Sequence, residues 1–351
     1  MLAKLKYVYE LCRRRQREGH LSVSRQVAEI AWLQVTCGVG YDIYHYAGMW
    51  DRRATWAYKR DYLSHRDFAK AVYRVNQRKF HGASQYKPLE KAYFRQFGIP
   101  TADCIGVLHE THGVNFDGAK LRTAHELEAC LATAPGRKFC CKPVQGFNGR
   151  GFKAYEVVRE DRRVRARDLG SGQEIAVEEL HRLLLEESRD GWLLEHYIEQ
   201  HPTLKAFNPT SVNTIRMFLY RRKTGEVVPL RSFLKTGRPG ALIDKTEKGG
   251  ASVNIDQQTG ELTDGFDWSP KMIPLACHPA SGVPFKGVRI PFWKEAESIA
   301  VKALECFPGT RFVGVDIAIT EAGPLMVEMN VHPDSDCMPV LKIQTRALFE
   351  S

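Results

Sequence analysis

The chain has 351 residues, 43% apolar and 26% charged, which suits a soluble globular protein of two or three subdomains and predicts no repeat or low-complexity architecture. No run of about 18 uncharged apolar residues occurs, so no membrane span is expected, and the lysine-broken start MLAKLKYVYELCRRR lacks the marks of a signal peptide, which predicts a cytoplasmic protein. The net charge of +10 is uneven: residues 1–80 hold 16 Lys/Arg against 7 Asp/Glu, and the rest hold 35 against 34, so an anionic partner (nucleic acid or an anionic surface) is expected at the N-terminal region, with a merely solvated basic face as the alternative.

Residues 1–80 read as helices. Leu2, Leu5, Val8 or Tyr9, and Cys12 recur at helical spacing, as do Val23, Val27, Ile30 and Ala31. The aromatics crowded between 41 and 80 are assigned to a core. From residue 86 the pattern changes: KPLEKAYFRQFG is a helix stopped at Gly98 by Ile99-Pro100. HETH (109–112) is one residue short of HExxH and is read as a loop histidine pair. The nine cysteines form no CxxC pair, which argues for buried thiols over a disulfide framework or a zinc knuckle. KFCCKPVQGFNGRGFKAYEVV (138–158) reads as strand, glycine-rich loop, strand. GWLLEHYIEQHP, SVNTIRMFLYRR, VVPLRSFLKTG and GASVNIDQQTGEL follow as strands, then a helix over 291–307.

The hairpin RFVGVDIAITEAGPLMVEMNVHP (311–333) is the most informative stretch. Strand neighbours alternate faces. A three-residue loop EAG would set Thr320 opposite Pro324 and Asp316 opposite Glu328, with Asn330 diagonal to Asp316. All three polar groups then share one face. Val313, Val315, Ile317 and Ile319 would face Leu325, Val327, Met329 and Val331 on the other. Two carboxylates and a carboxamide on a rigid hairpin suit Mg²⁺, an oxygen-seeking ion; the alternative is a structural ion pair with a lysine or arginine, because a buried carboxylate needs a cation. In KPVQGFNGRG (142–151) Lys142 is followed by Gly146, Asn148, Gly149 and Gly151, a loop whose backbone amides can close over phosphate oxygens. Together the two motifs imply a magnesium–nucleotide complex, ATP with Mg²⁺.

With these motifs in order, residues 86–344 resemble the ATP-grasp superfamily, and NPTSVNTIRM (208–217) with the helical extension is most similar to its sugar-transfer-associated group. The resemblance implies an α+β ATP-grasp fold, two α/β subdomains gripping ATP, behind a helical N-terminal extension. It divides the chain into a basic helical region 1–80, a small central subdomain 81–137, a glycine-rich lid subdomain 138–202 and a C-terminal subdomain 203–351. It assigns Lys87 and Lys142 to the α/β-phosphate side. The His196 carbonyl and the Ile198 amide would meet adenine, with Glu195 beside them; Asp316, Glu328 and Asn330 would hold magnesium. Glu199, Gln200 and His201 compete for the ribose.

The same resemblance implies a carboxylate–amine ligase: a small or sugar-linked acid takes the γ-phosphate, and an amine displaces it to give an amide. Arg216 would face the γ-phosphate, and Lys235, with Lys245 and Lys248, would receive the acid. No Ser-His-Asp arrangement is legible. A kinase acting on a hydroxyl, or a basic binding protein with a regulatory nucleotide site, are the alternatives.

Overall fold

The computed structural model describes residues 2–133, 137–146, 149–160, 163–244 and 250–350, Glu160 by its backbone alone. Five helices come first: α1 (Leu2–Arg17), α2 (Val23–Cys37), α3 (Tyr41–Tyr46), α4 (Trp56–Arg60) and α5 (His65–Val75). Ser22, Thr55 and Ser64 cap α2, α4 and α5 by accepting a backbone N–H two or three residues on. After α6 (His81–Gln85) and α7 (Lys87–Gln96) come β1 (Cys104–Leu108), β2 (Val114–Asn115), α8 (Ala124–Ala132), β3 (Lys138–Pro143), β4 (Lys153–Glu160), β5 (Arg163–Asp168), β6 (Glu174–Ala176), α9 (Val177–Glu187) and β7 (Trp192–His196). These strands form an antiparallel sheet in the order β2-β1-β7-β3-β4-β5-β6. Past α10 (Pro202–Lys205), a second antiparallel sheet is built from β8 (Thr214–Arg221), β9 (Val227–Thr236), β10 (Ala251–Ile255), β11 (Leu262–Phe266), β12 (Pro274–Leu275), β13 (Phe312–Thr320) and β14 (Gly323–Asn330), ordered β12-β11-β10-β9-β8-β13-β14. Helix α11 (Trp293–Cys306) precedes the final hairpin, and α12 (Cys337–Val340) and α13 (Thr345–Glu350) follow it. Among the described residues, no helix is long and apolar enough to cross a membrane.

Alternation along the strands decides which face each sheet turns to its helices. In the first sheet, Phe139, Cys141, Trp192 and Leu194 pack under Leu127 and Leu131 of α8 and Leu180 and Leu184 of α9. That leaves Cys140, Lys142 and Glu195 on the opposite face. In the second, Ile215, Met217, Val313, Val315, Ile317 and Ile319 lie under Ala296, Ala300 and Leu304 of α11. Thr214, Arg216, Phe218, Lys235 and Asp316 turn the other way. The outer part of that face is apolar, and α5 closes it with Phe68, Ala71, Val72 and Val75 against Phe218, Tyr220, Phe233 and Phe312. Asn76, just after α5, donates to the carbonyls of Phe312 and Val331 (2.6 Å each) and accepts from the N–H of Arg311 and Phe312. The N-terminal helices are thereby stitched to both strands of the hairpin.

The hairpin departs from the expected register in one respect. Asp316 pairs with Glu328 as expected, but Thr320 pairs with Gly323, not Pro324, so the loop is the two residues Glu321-Ala322. Gly323, at φ +129°, opens β14 in a backbone region that favours glycine. A bulge between Asp316 and Ile317 makes up the missing residue. Beyond it the facing reverses: Met326 joins the core and Val327 lines the cavity described below.

The segment from β7 to β8 is held by a buried polar knot. Gln200 donates to the carbonyls of Asn208 (2.9 Å) and Ser211 (2.7 Å) and accepts from Asn213, which itself donates to Leu204 and Asn208. The motif NPTSVN is therefore a structural crossing between the sheets. Because Phe68 is buried against Phe312 and Phe349 at ring distances of 6.0 and 5.7 Å, Phe68→Ala is expected to cost about 3–5 kcal/mol in urea unfolding. Loss of the N-terminal helices alone, with the second sheet unchanged in stability, would contradict this packing.

Candidate functional site

The turned-away faces of the two sheets, together with α5 and α7, enclose a cavity of about 590 Å³, within the range of small-ligand sites. One wall, made by the first sheet and α7, carries the ammonium groups of Lys87, Lys91 and Lys142 near the Glu195 carboxylate. Cys140 pairs with Glu195, and Lys142 lies two residues further along β3, so Lys142 and Glu195 are diagonal neighbours on one face. Lys142 Nζ is 2.5 Å from Glu195 Oε2, and Lys91 Nζ is 3.2 Å from Oε1. Burial pushes the Glu195 carboxyl up, but the two lysines outweigh it and hold it down at about 2. Burial would lower Lys142, and the Glu195 charge overrides that to raise it. Lys87, at the first position of α7, donates to the Gly146 carbonyl at 3.1 Å, and burial lowers its pKa. Glu195 is thus the counter-ion of two lysines in the cavity wall.

Opposite stands a second charge cluster. Asp316 pairs with Arg216 across β13 and β8. It accepts from Arg216 Nε (2.5 Å) and Nη2 (2.9 Å) and from Lys235 Nζ (2.9 Å). Burial raises the Asp316 carboxyl; Arg216 and Lys235 overcome that and hold it well below the usual carboxylate range. Lys235 also lies 3.6 Å from Asp244, whose carboxylate accepts from Thr214. The expected metal triad is therefore divided. Asp316 already has two cations, whereas Glu328 and Asn330 bond to each other (Asn330 Nδ2 to Glu328 Oε1, 3.0 Å) and line the cavity. Among the described residues, no three His, Cys, Asp or Glu side chains gather into a metal cage. The oxygens of Glu328 and Asn330 fit Mg²⁺ as a partial set that a ligand's own oxygens would complete.

Of the loop glycines, Gly146 and Gly149 line the cavity. Gly149 and Gly151 have φ of +63° and +75°, conformations that disfavour other residues. Gly151 does not line it: a Cβ there would come 2.8 Å from Pro143, so this glycine serves packing. Asn148, Lys245 and Lys248 lie outside the described residues. His196, the last residue of β7, and Tyr197 and Ile198 directly after it line the cavity. None of the three candidate ribose ligands does so. Glu199 pairs with Lys138 (2.7 Å), Gln200 belongs to the buried knot, and His201 caps α10.

Several participants were not anticipated. Lys91 sits one turn after Lys87, and that i, i+4 spacing in KPLEK was the available signal. His65, Phe68 and Ala69 of α5 line the cavity together with Asp334 and Ser335. Contrary to expectation, a Ser-His-Asp chain exists: His65 Nδ1 is 2.8 Å from Ser335 Oγ, and Nε2 is 3.0 Å from Asp42 Oδ2. Separations of 23 and 270 residues hid it.

Two facing sheets thus bound one cavity, with lysines on one wall and an acid–amide pair on the other. The sequence matches the sugar-transfer associated ATP-grasp family over residues 68–344, and the chain belongs to that family. No curated protein matches it. Solved structures similar in fold include N5-carboxyaminoimidazole synthetase from Staphylococcus aureus complexed with ADP (11% identity, TM-score 0.43, 82% of this chain and 59% of that one). Others are carboxyaminoimidazole ribonucleotide synthase from Aspergillus clavatus complexed with ATP (14%, 0.42, 77% and 55%) and D-alanine–D-alanine ligase from Bacillus anthracis (15%, 0.38, 77% and 67%). This chain spans 59%, 55% and 67% of the length of those three proteins, and at such scores they carry no weight for its activity.

Glu195 offers a test of the charge balance. Its removal leaves Lys91 and Lys142 buried without a counter-ion, so Glu195→Gln is expected to cost about 3–5 kcal/mol at pH 7. A carboxyl held at about 2 in the folded chain, against an ordinary 4.5, contributes stability that is present above pH 4.5 and lost as pH falls towards 2. The gap between wild type and variant in urea unfolding should therefore narrow between pH 4.5 and 3. A gap that does not change with pH would refute the pairing.

Proposed function

We propose that this protein is an ATP-dependent carboxylate–amine ligase. The observation that carries the reading is the single cavity in which Lys87 and Lys142 face Glu328, Asn330 and Arg216 across the two sheets. The adenine would sit against His196–Ile198, and Lys87 and Lys142 would grip the α/β-phosphates under Gly146 and Gly149. Glu328 and Asn330 would hold Mg²⁺, which when bound neutralises charge on the β- and γ-phosphates. Asp316 is assigned a positioning role: it fixes the forks of Arg216 and the ammonium of Lys235 on the floor of the cavity. From there both would meet the transferring phosphoryl group and the acid, since a guanidinium's paired N–H groups suit paired oxygens.

In this proposal the acid's carboxylate oxygen attacks the γ-phosphorus, the bond to the β-bridging oxygen breaks, and ADP leaves. An amine then adds to the acyl carbon and phosphate departs. Closing the glycine loop would exclude water, to which an acylphosphate is vulnerable. Phosphoryl transfer of this kind rests on positioning and charge, with no protein nucleophile. The alternative chemistry, phosphorylation of a hydroxyl, differs in its product.

A phosphate-release screen of candidate acids and amino acids with ATP and Mg²⁺, repeated with hydroxylamine, separates the two. Hydroxamate formation is expected for carboxylate activation; a stable phosphate ester without hydroxamate would establish a kinase instead. Glu328→Gln, which keeps size and removes charge, is expected to lower turnover by at least about 10²-fold with unchanged unfolding. Full activity in that variant would remove Glu328 from the metal site.

A further inference from the structure

The ligase reading leaves one chemical need unmet. An amine arrives largely as an ammonium ion, which has no lone pair to attack an acylphosphate, so a proton must be taken from it inside the cavity. We propose that Asp42, His65 and Ser335 form the relay that takes this proton, and that the N-terminal helical region thereby completes the acceptor end of the active site. The inference rests on the ligase reading and deepens it.

The geometry assigns each hydrogen. Asp42, as a carboxylate, only accepts, so the His65 Nε2 facing it at 3.0 Å carries the ring hydrogen. Nδ1 then presents its lone pair to the Ser335 hydroxyl at 2.8 Å. Hydroxyl and imidazole both lie in the cavity wall, while Asp42 stands behind the ring. Two further histidines line the cavity, but His332 lies against Tyr73 with ring centroids 4.8 Å apart and His196 sits at the end of β7. Among the described residues, only His65 is suspended between a carboxylate and a hydroxyl there.

Charged groups approach the ring from three elements. Asp42 comes from α3, and Asp334 and Asp336 from the segment after β14, with Asp336 Oδ1 3.5 Å from Nδ1. On α5 itself, Arg66 turns to Asp67 at 3.8 Å. The surroundings are anionic: the hydrogen bond to Asp42 raises the pKa of His65, and an imidazolium formed during turnover is stabilised.

The proton balance is simple. One ammonium hydrogen passes to Ser335 Oγ as the serine's own hydrogen passes to His65 Nδ1, giving imidazolium against Asp42. The freed lone pair forms the C–N bond, the acyl C–O bond breaks with its electrons going to phosphate, and the second nitrogen hydrogen leaves with phosphate. His65 returns its proton to water from its partly exposed edge. Asp42 and His65 precede residue 68, where the family match begins, so the extension supplies the acid and the imidazole of the relay, and the matched region supplies Ser335.

Hydroxylamine tests the relay, because it is already unprotonated near neutral pH and needs no base. With the acid and amine selected by the phosphate-release screen, His65→Gln and Ser335→Ala should lower amide formation about 10²- to 10⁴-fold yet leave hydroxamate formation and ATP affinity little changed. Amide formation by wild type should rise with pH through the titration of His65. Asp42→Asn, by removing the carboxylate that raises that titration, should move the rise to lower pH. Equal losses with both nucleophiles, no loss with either, or an unmoved pH profile overturns the relay. Absence of wild-type phosphate release with every acid would overturn the ligase reading itself, and the relay with it.

Discussion

A carboxylate taken out of water in the middle of a sheet must be neutralised where it stands, and that requirement organises this molecule. Asp316 and Glu195 occupy equivalent situations on the two facing sheets. Each is buried, each is met by two cations, and each set of cations opens into the same space. The ion pairs need not be the main source of stability, since desolvation consumes much of what attraction returns. What they do is hold flexible lysine and arginine stems in fixed positions with their charge only partly spent. A polyanion entering between the sheets meets donors already aimed, and little ordering remains to oppose binding.

The parity of single strands was readable in advance; their partners were not. The alternation of DIAIT and VEMN placed Asp316, Glu328 and Asn330 on one face, and they do lie there. The residue that meets Asp316, however, is a hundred positions earlier, on β8. Nothing local in SVNTIRM declares that β8 will be the neighbour of β13. The bulge at Asp316/Ile317 was equally hidden, because an alternating pattern of apolar residues survives a one-residue shift when both candidates, Met326 and Val327, are apolar. Lys91 escaped notice although it shares a helix face with Lys87, since a lysine on an amphipathic helix is ordinarily solvated. The pairing of Ser335 with His65 depended wholly on tertiary structure.

The N-terminal region does more than its composition announced. Its excess of lysine and arginine suggested a surface for an outside partner; its apolar residues pack inward on the second sheet. Part of the basic charge is spent internally, as in the buried Lys59–Glu29 pair at 2.6 Å. The amphipathic face of α5 covers the outer part of the second sheet, and the first turn of that helix reaches the cavity. The aromatic density between 41 and 80 was a guide in part: Tyr44 and Tyr62 are core, whereas Trp56 and Tyr73 are exposed.

The stitching by Asn76 has a bearing on how the chain is made. During synthesis the first helices leave the ribosome long before residues 312–349, which hold the carbonyls, amides and aromatic rings that they require. For the time needed to translate over two hundred residues, the oily side of α5 has no permanent cover, and the nascent protein must tolerate or shield it. The segment of α5 and Asn76 is therefore made early and settled late.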